Sequence, residues 1–118
     1  MPKIAAIVSD LNLMTRIRNA AEPIGLTVGF VGTRDQLDYY LKDYDLVIID
    51  LENDFVEPIE LIGKIRSDRS SKRVKVIGYL SRVNAPLRAQ AAAAGCDDVL
   101  SRFEFRSNLR EILRTACY

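Results

Sequence analysis

Asp45-Leu46-Val47-Ile48-Ile49-Asp50-Leu51-Glu52-Asn53-Asp54 is the stretch whose reading decides the fold. Four apolar residues, three of them β-branched, run without polar alternation into a carboxylate. Such a run suits a strand buried on both faces, as in a parallel sheet covered by helices. Asp50 then stands at the C-terminal end of that strand, the edge where open α/β sheets collect their ligands. Three more acids or amides follow closely behind it.

Working outward, the same alternation of strand and helix recurs. Lys3–Val8 reads as a first strand, and Leu13, Met14, Ile17, Ala20, Ala21 and Ile24 mark a helix with one buried face. Ser9 or Asp10 can cap that helix, and Gly25 stands where a left-handed C-cap is needed. Leu26–Val31 is a second strand, and Thr33-Arg34-Asp35-Gln36 has the form of a capping box before a helix through Leu37, Tyr40 and Leu41. Pro58 opens a helix carrying Ile59, Leu61, Ile62 and Ile65. Val74–Tyr79 is a fourth strand, and Asn84 caps an alanine-rich helix with Pro86 in its first turn and Gly95 at its end. Asp98–Leu100 is a short fifth strand, and Ser107 caps a last helix with Leu109, Ile112, Leu113 and Ala116 inward. Five strand–helix repeats predict one parallel sheet with helices on both faces.

The chain of 118 residues is read as one domain, residues 1–118, without linker or repeat. Its folding should bury roughly 65% of the extended-chain surface, enough for a core without disulfides or metals. Apolar residues make up 48% and charged residues 28%, the balance of a soluble globular protein. No apolar run approaches the ~20 residues of a membrane span, and no signal-peptide core is visible, so a cytoplasmic location is expected. Cys96 and Cys117 read as reduced thiols rather than a disulfide framework. The chain has no histidine, which removes histidine acid–base catalysis, histidine metal ligation and phosphohistidine chemistry.

Net charge is +1 but unevenly placed. Residues 1–63 hold 5 Lys/Arg and 11 Asp/Glu, a balance of −6; residues 64–118 hold 12 and 5, a balance of +7. Arg102, Arg106, Arg110 and Arg114 recur every fourth residue and are expected to form a stripe along the last helix.

An acid after the first strand (Asp10), an acid after the third (Asp50) and Ala93-Ala94-Gly95 before the fifth together resemble a response-regulator receiver domain over the whole chain. The resemblance implies a flavodoxin-like (CheY-like) doubly wound five-stranded parallel sheet in the order 2-1-3-4-5. It implies that Asp50 is the phospho-acceptor, with a histidine kinase as donor. It implies that Asp10, Asp50 and the backbone carbonyl of Glu52 hold a Mg²⁺ ion, which suits oxygen ligands and retained waters. No enzymatic activity is expected.

Four positions depart from the family pattern. Ser9 stands where a second acid is usual, so metal binding is expected to be weak. Leu80 replaces the hydroxyl residue that ends the fourth strand, with Ser81 next in line. Arg102-Phe103 replaces Lys-Pro after the fifth strand, which predicts a trans peptide bond and a re-aimed, displaced Arg102. Val99 stands in the place of the aromatic switch residue.

The expected function is therefore a stand-alone receiver-like (pseudo-receiver) domain in two-component signalling that acts through protein contacts, with Asp50 a weak acceptor. A fully active Mg²⁺-dependent receiver is the alternative. A small flavodoxin-like nucleotide or flavin binder ranks last, because Ser9-Asp10-Leu11-Asn12-Leu13 offers no glycine-rich phosphate loop. The expected partner is a protein or a second copy, at the basic face of Arg102, Arg106, Arg110 and Arg114. Nucleic acid is disfavoured because no separate DNA-binding motif follows.

Overall fold

A computed structural model of the chain describes residues 3–32, 36, 44–53, 56–67, 74–81 and 85–117. Five strands form one sheet: β1 (Lys3–Ile7), β2 (Thr27–Phe30), β3 (Leu46–Asp50), β4 (Lys75–Leu80) and β5 (Asp98–Ser101). Their order is β2-β1-β3-β4-β5, and every neighbouring pair is parallel. The helices are α1 (Leu11–Ala21), α2 (Pro58–Ser67), α3 (Ala85–Ala94), α4 (Arg102–Ser107) and α5 (Leu109–Cys117). The expected helix through Leu37, Tyr40 and Leu41 and the expected cap at Asn84 lie outside the described residues.

Period-two alternation divides the sheet's side chains between two cores. Val47, Ile49, Val76 and Leu80 pack with Leu61, Ile62 and Ala91 under α2 and α3. Leu46, Ile48, Ile77 and Tyr79 pack with Leu13, Ile17, Phe105, Leu109 and Leu113 under α1, α4 and α5. The residues of β3 and β4 are thus covered on both sides, and the unbroken apolar run of β3 is accounted for by burial on both faces.

The signals at Asp10, Gly25 and Gly95 fall where the sequence puts them, and the Thr33–Gln36 box falls largely outside the described residues; the C-terminal signals differ. Asp10 caps α1, accepting from the N–H groups of Asn12 at 2.9 Å and Leu13 at 3.4 Å. Pro23 tightens the end of that helix into a 3-10 turn over Glu22–Ile24, and Gly25 closes it at φ 79°. Gly95 ends α3 at φ 118°, where a Cβ would meet Arg66 Cγ at 2.5 Å.

The C-terminal segment is two helices and not one, and Ser107, expected to cap the last helix, is instead the final residue of α4. Ser101-Arg102-Phe103-Glu104 is a capping box: Ser101 Oγ accepts from the Glu104 N–H at 3.0 Å, and Glu104 Oε1 accepts from the Ser101 N–H at 3.1 Å. It starts α4 directly after β5. Asn108 then interrupts the helix, with its side-chain amide turned back to the Glu104 carbonyl at 3.1 Å. The carbonyl of Asn108 accepts the first bond of α5, from Ile112 at 2.9 Å. Arg102 therefore sits on a different helix from Arg110 and Arg114, and the expected single stripe is broken.

Candidate functional site

Parallel strands carry their C-terminal ends to one edge, and β1 and β3 are neighbours, with Ile7 opposite Ile49. The edge therefore brings Asp10 and Asp50 together, close enough that the charge of Asp10 is felt at Asp50. Asp50 is half-buried. Its Oδ1 accepts the Glu52 N–H at 2.9 Å, and the Asn53 N–H reaches its backbone carbonyl at 3.3 Å. Burial pushes the Asp50 carboxyl above the ordinary carboxylate value, aided by the charges of Glu52 and Asp10 and opposed by the Glu52 N–H and by Arg102.

Asp10 shifts the other way. Burial opposes ionisation, but the Leu13 and Asn12 N–H groups and then the Arg102 guanidinium outweigh it and hold the carboxyl below its usual value. The two oxygens divide their partners: Oδ1 caps α1, and Oδ2 forms an ion pair with Arg102 Nη2. Both side chains remain about one-third exposed, 37% for Arg102 and 32% for Asp10. The peptide bond between Arg102 and Phe103 is trans, as expected. Arg102 is re-aimed into the acid pair and not away from it, because the capping box fixes it at the first position of α4, beside the start of α1.

The remaining expected pocket residues are placed as follows. Leu80 is fully buried in the core beneath α2 and α3 and offers no donor. Ser81 is exposed beyond the strand, and its N–H donates to Glu52 Oε1 at 2.5 Å. The Glu52 carboxylate is thereby turned toward the end of β4. Ser9 is exposed. Val99 lies opposite Gly78 and packs on the first core. Arg106, Arg110 and Arg114 are exposed, and Arg106 and Arg110 join Arg16 of α1 around an open cleft of about 480 Å³. A smaller hollow of about 220 Å³ continues past Asn19 to Arg114. None of these four arginines makes an ion pair among the described residues.

Two features were missed in the sequence. One is the Ser101–Glu104 capping box, whose S-x-x-E spacing was legible. The other is Tyr79, directly opposite Asp50 in the β3–β4 register. Its ring stacks on Phe105, with centroids 5.1 Å apart and an interplanar angle of 13°, and its buried hydroxyl has no hydrogen-bond partner among the described residues. Burial, and then the charge of Asp50, raise its phenol above the ordinary value.

The divalent ion that the resemblance implies needs oxygen donors at this edge. Among the described residues no three metal-ligating side chains converge. Asp10 is engaged through both oxygens, Glu52 faces Ser81, and Ser9 adds no charge. The site as arranged does not fit a hard cation, which needs several free oxygens.

No family model and no curated protein matches the chain. Solved structures do. A response regulator from Thermotoga maritima is 21% identical, with 99% of this chain and 98% of that one covered at a TM-score of 0.81. An orphan response regulator of H. pylori is 16% identical, with 99% and 97% covered at 0.80. The receiver domain of a sensor histidine kinase from Pseudomonas aeruginosa PAO1, with a magnesium ion coordinated in its active-site cleft, is 20% identical, with 98% and 97% covered at 0.79. The chain has the CheY-like fold of response-regulator receiver domains.

Proposed function

We propose that this chain is a receiver-type module of two-component signalling that acts through protein contacts, with Asp50 as a weak phospho-acceptor. The observation that carries the proposal is the pairing of an acceptor with absent donors. Asp50 stands at the receiver position on the sheet edge, while Leu80 is wholly inside the core and Arg102 is held by Asp10. Phosphoryl transfer depends on positioning and on charge stabilisation around the moving oxygens. Each charge-assisted hydrogen bond lost there is worth roughly 1.5–3 kcal/mol, so two losses slow transfer by orders of magnitude. The chain's own role is to present Asp50, to keep it half-buried and to carry any change outward through α4. A divalent ion would need Asp10, Asp50 and the Glu52 carbonyl as ligands, and so would require Arg102 to leave Asp10 Oδ2 first.

The output face in this reading is Arg106, Arg110 and Arg114 with Arg16 of α1. Arginine is the side chain best suited to forked recognition of carboxylates, so an acidic protein surface is the expected partner. The setting is cytoplasmic; among the described residues no helix is long and apolar enough to cross a membrane.

The test is incubation with acetyl phosphate, or with beryllofluoride, in the presence of Mg²⁺, followed by amide NMR. Small or no shifts are expected in the unaltered protein, with larger shifts after Leu80→Thr combined with Arg102→Lys. Large shifts spreading from Asp50 to Val99 and α5 in the unaltered protein would establish an ordinary phosphoswitch instead.

A further inference from the structure

We propose that Arg102 is the resident cation of the acid pocket: it holds the one Asp10 oxygen that a divalent ion could take, so that Arg102 and a divalent cation exclude one another. Asp10 has only one oxygen to offer, because Oδ1 is committed to the N–H groups of Asn12 and Leu13 at the start of α1. The other, Oδ2, is occupied by Arg102 Nη2. The charge of Arg102 is also felt at Asp50. One guanidinium thus serves both acids.

Charge counting points the same way. The two side-chain ligands, Asp10 and Asp50, carry two negative charges, and Arg102 returns one, halving what these ligands offer a doubly charged ion. Among the described residues no further carboxylate joins the ligand set: the Glu52 charge is felt at Asp50, but its Oε1 is turned to the Ser81 N–H at 2.5 Å, and position 9 is serine. With Arg102 withdrawn, the two acids and the Glu52 carbonyl are the oxygen set open to a hard cation. Exchange is physically open because the pair is partly solvated on both sides, at 37% and 32% side-chain exposure. Its effect would be felt at the first turn of α4, where Phe103 is 78% exposed and Phe105 is stacked on Tyr79.

This inference uses the acid pocket of the proposed function but needs no phosphoryl transfer. A protein that cannot be phosphorylated can still show the competition, and one that is phosphorylated readily can still lack it. The probe is Mn²⁺ alone, titrated into uniformly ¹⁵N-labelled protein while paramagnetic broadening of the Asp10, Asp50 and Glu52 amides is followed. Arg102→Gln is expected to reach half-broadening at about one-tenth of the Mn²⁺ concentration that the unaltered protein requires, or less, the factor expected from losing one charge-assisted bond. Arg102→Met, which keeps an unbranched stem without charge, is expected to behave in the same way and guards against a folding defect peculiar to one variant. Adding Asp10→Asn to either variant is expected to remove the gain. Equal half-points in the unaltered protein and both well-folded variants would overturn the proposal. So would a gain that survives Asp10→Asn, or broadening centred away from these three residues.

Discussion

Two arginine–aspartate pairs among the described residues are built from the same chemistry and put to different uses. Arg66 of α2 reaches under the end of α3: its Nε donates to the Gly95 carbonyl at 2.8 Å, Nη1 to the Val74 carbonyl at 2.5 Å and Nη2 to Asp97 Oδ2 at 2.5 Å. Asp97 in turn accepts the Val76 N–H at 2.8 Å. Side-chain exposure is 18% and 19%. Among the described residues the Arg102 side chain makes one hydrogen bond, to Asp10, at roughly twice that exposure. A saturated, half-dry network is a staple, whereas a singly bonded, wetter pair can be exchanged. Net worth follows satisfaction and solvent access more than formal charge.

The largest expected effect falls on the staple. Arg66→Ala takes one donor from Asp97 and from each of two carbonyls and is expected to cost about 3 kcal/mol, read by urea unfolding. A loss below about 1 kcal/mol would mean that water replaces the guanidinium freely. Gly95→Ala attacks the same region through the backbone. It forces a side chain to positive φ and against Arg66 Cγ, with an expected cost of about 2 kcal/mol by thermal or chemical unfolding.

Asp50→Asn works in the opposite direction. An acid whose folded value is raised lends stability only below its unfolded value, and that contribution is lost as pH rises through the folded one. Ionised Asp50 therefore costs stability at neutral pH. The amide should raise Tm at pH 7, by less than either loss at the staple, and the gain should vanish below about pH 4. An unchanged or lowered Tm at pH 7 would contradict the burial argument.

The smallest effect is expected at the exchangeable pair. Arg102→Gln should change stability by less than about 1 kcal/mol at neutral pH. Because the Asp10 carboxyl is held below its usual value, the pair's contribution is present above the unfolded value and is lost as pH falls through the lowered one. The small difference between the unaltered protein and Arg102→Gln should therefore disappear in acid. A difference as large as that of Arg66→Ala would erase the contrast between the two pairs.

The sheet was legible because burial on both faces writes itself into Leu46–Ile49 and Val76–Leu80 as apolar runs, and because Gly25 and Gly95 mark helix ends by the φ they must adopt. Asp10 and Asp50 were legible as a pair because parallel strands place their C-terminal ends together. The direction of Arg102 was not. It depends on where α4 begins, which the Ser101–Glu104 box sets, and fourfold spacing alone cannot distinguish one helix from two. The Glu52 side chain was likewise open in the sequence, since its orientation is set by a backbone N–H at Ser81, 29 positions away. Tyr79 looked like strand filling because nothing local reveals that its register partner is Asp50.

The divided carboxylate of Asp10 also sets a clock. Since Oδ1 keeps α1 capped while Oδ2 alone meets Arg102, releasing the guanidinium does not unwind the helix. The event is a side-chain rotamer change at a partly solvated site, which belongs to the picosecond-to-nanosecond range and not to the microsecond-to-second range of local unfolding.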